Sequence, residues 1–183
     1  MKTLVILFTS LFLTSGLSIL GETSANYGTR IQGGEDKDAE RIKKYHETEQ
    51  LLDSMNFILK AYSLDNERGR RVIVSPNLNF IEVLSNQAVL QTGSNVRIGA
   101  NGVGGTTAKG SISHWKLIKN EKKKCFTVTF SVMSSIGFYD VIMNINGSGK
   151  STAIITGLGP GRLEYQGDLV PLEQNVVYQG HSL

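Results

Sequence analysis

The most conspicuous chemical motif is the segment NGSGKST, residues 146–152, which looks like a phosphate-binding loop. Such a loop has the pattern GxxxxGK[ST], because glycine amides wrap the phosphates and the following helix points its N-terminus at the anion. Here Asn144 occupies the first glycine position, and the residues after the motif are β-branched and strand-like. The pattern therefore predicts a hairpin turn rather than a nucleotide site.

Histidine-based chemistry has little support in the spacing of the residues. The segment HETEQ, residues 46–50, resembles the zinc-protease pattern HExxH, but Gln50 replaces the second imidazole. The other histidines, His114 and His181, have no metal-ligand spacing. Only a cleft that joined histidine and an acid to Ser151 or Cys125 would favour a hydrolase. We therefore predict no catalytic residue, no metal site and no cofactor.

A glycine-rich segment, residues 99–105, is the candidate for a binding loop. It follows no βαβ pattern and opens no helix, which argues against a dinucleotide site. Loops nevertheless carry many binding sites. The candidate ligand or partner residues are Gly99, Asn101, Gly102, Gly104 and Gly105.

Basic residues gather at two turns. Lys119 and residues 122–124 form one cluster, and Arg68, Arg70 and Arg71 form the other. The default interpretation is that these are solvated turn residues. The more specific interpretation is that they bind an anionic surface partner. The net charge is only +3, with no basic stripe interleaved with aromatic residues, so we predict no nucleic-acid partner.

The N-terminus predicts export. Lys2 precedes an uncharged apolar run from residue 4 to residue 20, and Thr23 and Ala25 supply the small residues that signal peptidase reads. We expect residues 1–25 to be a signal peptide, with cleavage after Ala25 and a periplasmic or secreted product. A retained anchor helix is the alternative, although the run is barely long enough to span a bilayer. The mature chain has no predicted transmembrane segment.

The single cysteine and the chain length limit how the mature protein can be built. Cys125 is the only cysteine, so no internal disulfide framework and no acylated lipoprotein cysteine are available. The 183 residues suit one domain. We predict a flexible polar leader over residues 26–37 and a single domain over residues 38–183.

The elements that position these residues are one helix and a series of strands. Apolar residues at spacings of three and four predict a helix over residues 38–54 that covers one side of a sheet. Residues 57–64 fit either a helix extension or a strand, and we choose the strand. Phe126, Val128, Phe130 and Val132 alternate with polar residues, as do residues 139–145. Together with strands up to the final NVVYQ segment, this predicts a mainly β fold: an antiparallel meander of seven or eight strands, curled into a barrel or covered by the helix.

The order of these elements resembles a known family. The similarity rests on the helix, Phe57 to Ala61 as FxxxA, NxNF at residues 77–80, NGVGG at residues 101–105 with Gly110, the lysine hairpin, and RLEYQGDLVPLEQ running to GHSL. The chain is similar over roughly residues 47–183 to small exported bacterial proteins known as domain of unknown function four-two-five-one. The resemblance implies export and a β-rich domain, and it assigns no activity or site residue. Many members look like lipoproteins, whereas this chain lacks the acylated cysteine.

Three functional hypotheses follow. The first is a non-enzymatic binding or interaction module of the bacterial cell envelope, with an unknown envelope partner or small ligand bound at the loop ends. The second is a lipocalin-like barrel that carries a small apolar ligand, with an interior lined by Phe126, Phe130, Tyr139 and Met143. The third and weakest is a hydrolase. An interior cavity favours the second hypothesis, and a filled interior favours the first.

Overall fold

A computed structural model gives the architecture of residues 28–94, 103–157, 161–174 and 176–182. One helix, α1, spans Gly28–Ser54, and a short 3₁₀ helix spans Leu172–Gln174. The strands are β1 (Asn56–Asn66), β2 (Arg71–Ile73), β3 (Phe80–Leu84), β4 (Gln87–Thr92), β5 (Thr106–Asn120), β6 (Cys125–Ser134), β7 (Gly137–Asn146), β8 (Lys150–Thr156) and β9 (Arg162–Pro171).

The strands form a closed antiparallel barrel. Their order is β2-β1-β3-β4-β5-β6-β7-β8-β9, and β1 also pairs with β9. Eight strands, β1 and β3 to β9, therefore close on themselves, while β2 is an extra strand paired with β1. The predicted mainly β fold with an N-terminal helix is confirmed. Of the two predicted architectures, a barrel and a helix-covered sheet, the structure has the barrel. Residues 57–64 lie within β1, as the strand interpretation expected.

Alternation of apolar and polar residues fills the barrel interior. The predicted inward faces of β6 and β7 are correct, since Phe126, Val128, Phe130 and Val132 are each 2% exposed or less. Inward side chains from the eight barrel strands join one continuous buried cluster. The partly buried Trp115 packs against this cluster, with its ring centroid 5.4 Å from that of Phe130.

Helix α1 covers one end of the barrel rather than a sheet face. Tyr45 stacks on Phe126 with ring centroids 4.8 Å apart, and Leu52 is fully buried in the core. Lys119, near the end of β5, contacts Glu49 at 3.1 Å and Asp53 at 2.8 Å. A closed barrel has no open apolar face for a helix to cover, so the helix buries its side chains at the strand ends instead.

The helix is longer than the sequence predicts. It begins at Gly28, within the segment predicted to be a flexible leader, and not at Asp38. Gly33 and Gly34 each cost about 1 kcal/mol relative to alanine in a helix, which suggested a loop. Once the helical turns around Tyr45 have formed, however, extending the helix toward its N-terminus adds one hydrogen bond for each residue fixed, so the helix can continue through these glycines.

The C-terminal segment packs on the outside of the barrel. A second buried cluster of Ile58, Phe80 and Val89 lies there, covered by Val170, Leu172 and Val177. The prediction of a closing strand in NVVYQ is wrong, because residues 176–179 form no strand. The barrel is already closed by β9, so this segment makes only isolated backbone contacts, such as Tyr178 N to Asn77 O at 3.0 Å.

Gln91 fastens this C-terminal segment to the barrel wall. Its fully buried amide donates to the carbonyls of Leu78 at 3.1 Å and Tyr178 at 2.8 Å. Its carbonyl oxygen accepts from the Thr107 hydroxyl at 3.0 Å and from Gly180 N at 2.8 Å. All four hydrogen-bonding positions of the side chain are therefore used.

Phe130→Ala should destabilise the protein far more than Thr129→Ala. The first variant removes a buried core ring, for which we expect a loss of about 3 to 5 kcal/mol. The second lies on the outer face of the same strand, for which we expect about 1 kcal/mol or less. Paired urea unfolding curves measure both, and equal losses would contradict the assigned register.

Gln91→Leu should release the C-terminal segment. The replacement leaves buried partners without hydrogen bonds, each costing about 1 to 3 kcal/mol. Carboxypeptidase digestion should then remove the last residues faster than in the wild type. Gln87→Leu, an exposed change on the same strand, is the matched control and should leave the digestion rate unchanged. Equal protection of the Gln91 variant would refute the assigned role.

Candidate functional site

The barrel wall contains an open cleft at the end away from α1, with a volume of about 570 Å³. Leu64 and Leu163 line it and also pack against the barrel core. Residues 72–74 form one side, and Gly93 and Ser94 form the other. We call this feature the wall cleft. Its volume lies within the range of about 300 to 1,000 Å³ typical of ligand sites.

The wall cleft exists because two strands share one edge of β1. The first half of β1, from Asn56 to Lys60, pairs with β3, whereas Ser63 to Asp65 pair with β2. Strand β2 has β1 as its one strand neighbour, and β3 begins only at Phe80. The wall therefore has no strand between β2 and the end of β4 in the part of the chain that is described.

A rigid turn positions β2 at the cleft. The Asn66 side-chain oxygen accepts hydrogen bonds from the backbone N–H groups of Arg68 at 3.0 Å and Arg70 at 2.9 Å. The Arg71 guanidinium donates to both carboxylate oxygens of Asp65, at 2.8 and 2.7 Å. These hydrogen bonds hold the pKa of Asp65 below its usual value. The paired charges fix the turn without occupying the cleft.

Asn79 ties the two sides of the cleft together. It is 1% exposed, and its side-chain N–H donates to Ser75 O at 3.0 Å. Its side-chain oxygen accepts from Gly93 N at 2.9 Å. The segment after β2 and the start of the β4–β5 loop are thus joined through one buried amide, which makes the cleft a preformed feature of the fold.

Gly93 and Ser94 line this cleft, and the predicted binding loop, residues 99–105, follows them in the chain. Gly99, Asn101 and Gly102 lie outside the described residues, while Gly104 and Gly105 are described. Gly104 has a positive φ of 78°, and a Cβ on Gly105 would collide with the backbone carbonyl of Thr92. These two glycines close the base of the loop, whereas Gly93 and Ser94 line the cleft itself.

The segment resembling a phosphate loop is a hairpin turn, as the sequence predicted. Strand β8 follows it directly, where a phosphate loop requires a helix. The Asn146 side-chain oxygen accepts hydrogen bonds from the N–H groups of Ser148 and Lys150, both at 3.0 Å. The Lys150 ammonium lies 3.4 Å from Asp168. The amides that would hold a phosphate are thus already bonded within the turn.

In the described part of the chain, the sequence candidates are not gathered into a metal centre. Among the described residues, no set of three His, Cys, Asp or Glu side chains is placed to hold a metal ion. His46 lies on α1, 3.3 Å from Glu49. The Ser151 hydroxyl donates to Gly149 O at 3.0 Å rather than to a histidine. No helix in the described ranges has the length and apolar character needed to cross a membrane.

Sequence reasoning missed the wall cleft. The signal that could have revealed it is the position of Pro76, three residues after the very short β2. Proline cannot donate to a sheet and is confined to edges and breaks, so it marks β2 as a strand with a free side. No feature of the sequence shows that two strands share one edge of β1.

Comparison with known proteins gives a family and a fold. The family model described as "Domain of unknown function (DUF4251)" matches residues 39–169. The chain is similar to the crystal structure of a DUF4251 family protein from Bacteroides eggerthii DSM 20697, with 25% sequence identity and a TM-score of 0.60. The match covers 72% of this chain and 90% of that one. No curated protein matches the chain.

Lys150→Ala should change neither stability nor nucleotide affinity, because its ion pair is exposed and contributes at most about 1 kcal/mol. Asn146→Ala removes the acceptor that organises the same exposed turn, and we expect it to cost about 0.5 to 1.5 kcal/mol. Urea unfolding and calorimetric titration with ATP measure the two effects. Micromolar ATP binding that is lost in the Lys150 variant would overturn the hairpin assignment.

Proposed function

The chain belongs to the DUF4251 family, and on that premise we propose that it is an exported, non-enzymatic binding module of the bacterial cell envelope that takes up an extended peptide at the wall cleft. One observation carries the proposal: among the described residues β2 has β1 as its one strand partner, and its other side adjoins an apolar cleft. The export part rests on the leader sequence of residues 1–25.

The free side of β2 supports strand addition. Val74 donates its N–H to Tyr62 O, and Arg70 O accepts from Asn66 N, so residues 70, 72 and 74 direct their backbone groups toward β1. Because directions alternate along a strand, Arg71 and Ile73 direct theirs away from β1. An extended peptide can pair with such groups, as in other cases of strand addition to an exposed sheet edge.

The side chains around this edge supply an apolar surface for such a peptide. Ile73 is 76% exposed and Val72 is 52% exposed, although both are large apolar residues. Together with Leu64, Val74 and Leu163 they line the wall cleft. Backbone pairing would give affinity, while alternate side chains entering the cleft would give specificity.

The packed interior argues against the lipocalin-like alternative. That hypothesis assigned Phe126, Phe130, Tyr139 and Met143 to the lining of a ligand cavity. All four are at most 3% exposed and belong to one continuous core cluster. A barrel filled in this way leaves its outer surface and strand ends for recognition.

Ile73→Pro should abolish peptide binding while leaving the fold intact. Proline removes the N–H that points away from β1 and is tolerated on the free side of an edge strand. Ile73→Ala keeps that N–H and is the matched control. We expect native mass spectrometry of protein purified from its own envelope to show a bound polypeptide with the wild type and the alanine variant but not with the proline variant.

Two further readings complete this experiment. Equal melting temperatures of the two variants would show that the proline change acts on binding and not on folding. The mass of the purified chain would also report whether residues 1–25 have been removed. A polypeptide retained by the proline variant, or a non-peptide ligand in the wild type, would overturn the proposed mode of binding.

A further inference from the structure

A second cleft, at the opposite end of the barrel, collects positive charge. It has a volume of about 550 Å³ and lies between α1 and the β5–β6 and β7–β8 turns. The charged residues that line it are Asp38, Arg41, Lys44, Lys122, Lys123 and Lys124. Five of these six are basic, so this cleft alone holds more positive charge than the net +3 of the whole chain. We call it the cationic cleft.

The turn lysines have no ion-pair partner in the described ranges, and Glu121 is the one acidic residue of their turn. Arg41 lies 3.3 Å from Asp38, and Lys44 lies 2.8 Å from Glu40, which offsets the charge on the helix side. Lys122, Lys123 and Lys124 form no salt bridge with any residue in the described ranges. Three consecutive ammonium groups on one turn repel each other, and a bound anion would relieve that repulsion.

The turn is held in place against the helix. The Lys124 ammonium lies 4.6 Å from the centre of the Tyr45 ring, and that ring stacks on Phe126 in the core. The Asn120 side-chain oxygen also accepts from Lys123 N at 3.0 Å. The lysines therefore project from a fixed base, which reduces the entropy lost when a ligand binds.

We propose that the cationic cleft binds a phosphate-bearing anion, either as a soluble phosphate compound or as the headgroup of an anionic lipid. Lysine binds phosphate as a point charge, and several lysines around one concave surface raise the local concentration of anions. Ile42, 48% exposed beside the lysines, adds apolar surface that a lipid headgroup region can contact. This site is separate from the wall cleft and does not depend on the proposed peptide binding.

Lys122→Glu combined with Lys123→Glu tests the proposal with two probes. One is pyrophosphate, titrated by calorimetry at low ionic strength, and the other is sedimentation with phosphatidylglycerol vesicles, with phosphatidylcholine vesicles as the neutral comparison. The control combines Lys116→Glu with Arg68→Glu, exposed residues outside the cleft whose replacement changes the net charge equally. We expect the cleft variant to weaken binding by about tenfold or more, and the control by less than about twofold.

The two probes also separate the two sources of phosphate. Binding of pyrophosphate indicates a soluble ligand, whereas binding to anionic vesicles alone indicates a lipid headgroup. Equal losses in both double variants would mean that only the overall charge acts, which overturns the proposal. Absence of binding by the wild type to both probes at low ionic strength would overturn it as well. Circular dichroism of each variant establishes that the fold is retained.

Discussion

The pairing of β1 with β9 is the long-range interaction on which the barrel depends. It runs from Phe57 opposite Pro171 to Asn66 opposite Leu163, and it converts a meander with two open ends into a cylinder. The two backbones approach closely near the irregularity between Ala61 and Ser63, where Gly167 lies opposite Ala61. A Cβ on Gly167 would collide with the carbonyl of Lys60, so this position requires glycine. The other edge of β1 is then left for β2 and β3 to divide.

Closure of the barrel determines which surfaces remain available to bind a ligand or partner. The interior is occupied by side chains from every barrel strand, and α1 adds Tyr45 and Leu52 at one end. The two clefts therefore lie on the outside, at opposite ends, and differ in chemistry. The wall cleft is mainly apolar and borders the side of β2 that faces away from β1, whereas the cationic cleft is bordered by charged side chains. Because the clefts lie at opposite ends, a ligand in one would leave the other open.

The sequence predicted what depends on neighbouring residues and missed what depends on distant ones. Alternation in β6 and β7 identified the inward residues correctly, and the turn at residues 146–150 was assigned from its own composition. The start of α1 was missed, because Gly33 and Gly34 weaken the local signal while the packing of Tyr45 lies elsewhere in the chain. The C-terminal segment was predicted as a closing strand, yet the barrel is closed by β9 and leaves no barrel edge to pair with it.

The wall cleft belongs to this second group. Its two sides come from segments joined by the hydrogen bond between Asn79 and Gly93. The sequence around these two residues has no pattern that predicts a binding surface. The gap arises from how β2 and β3 divide β1, which is a property of the whole sheet and not of any window of residues. The candidate loop was predicted from glycine content alone, and its described residues, Gly104 and Gly105, are not among those that line the cleft.

The same β1–β9 pairing has a consequence for how the chain acquires its structure. Asp65 and Gln166, which bond across these two strands, are separated by 101 residues. Contacts between such distant positions form slowly, because the cost of closing a long loop comes before the gain. The Gln91 side chain likewise bonds to Tyr178 and Gly180, which follow β9 in the chain, so these hydrogen bonds also require the C-terminal segment. The chain through β9 must therefore be present before the cylinder can close, and a product that stops short of β9 keeps two bare sheet edges, a surface prone to pairing with other chains.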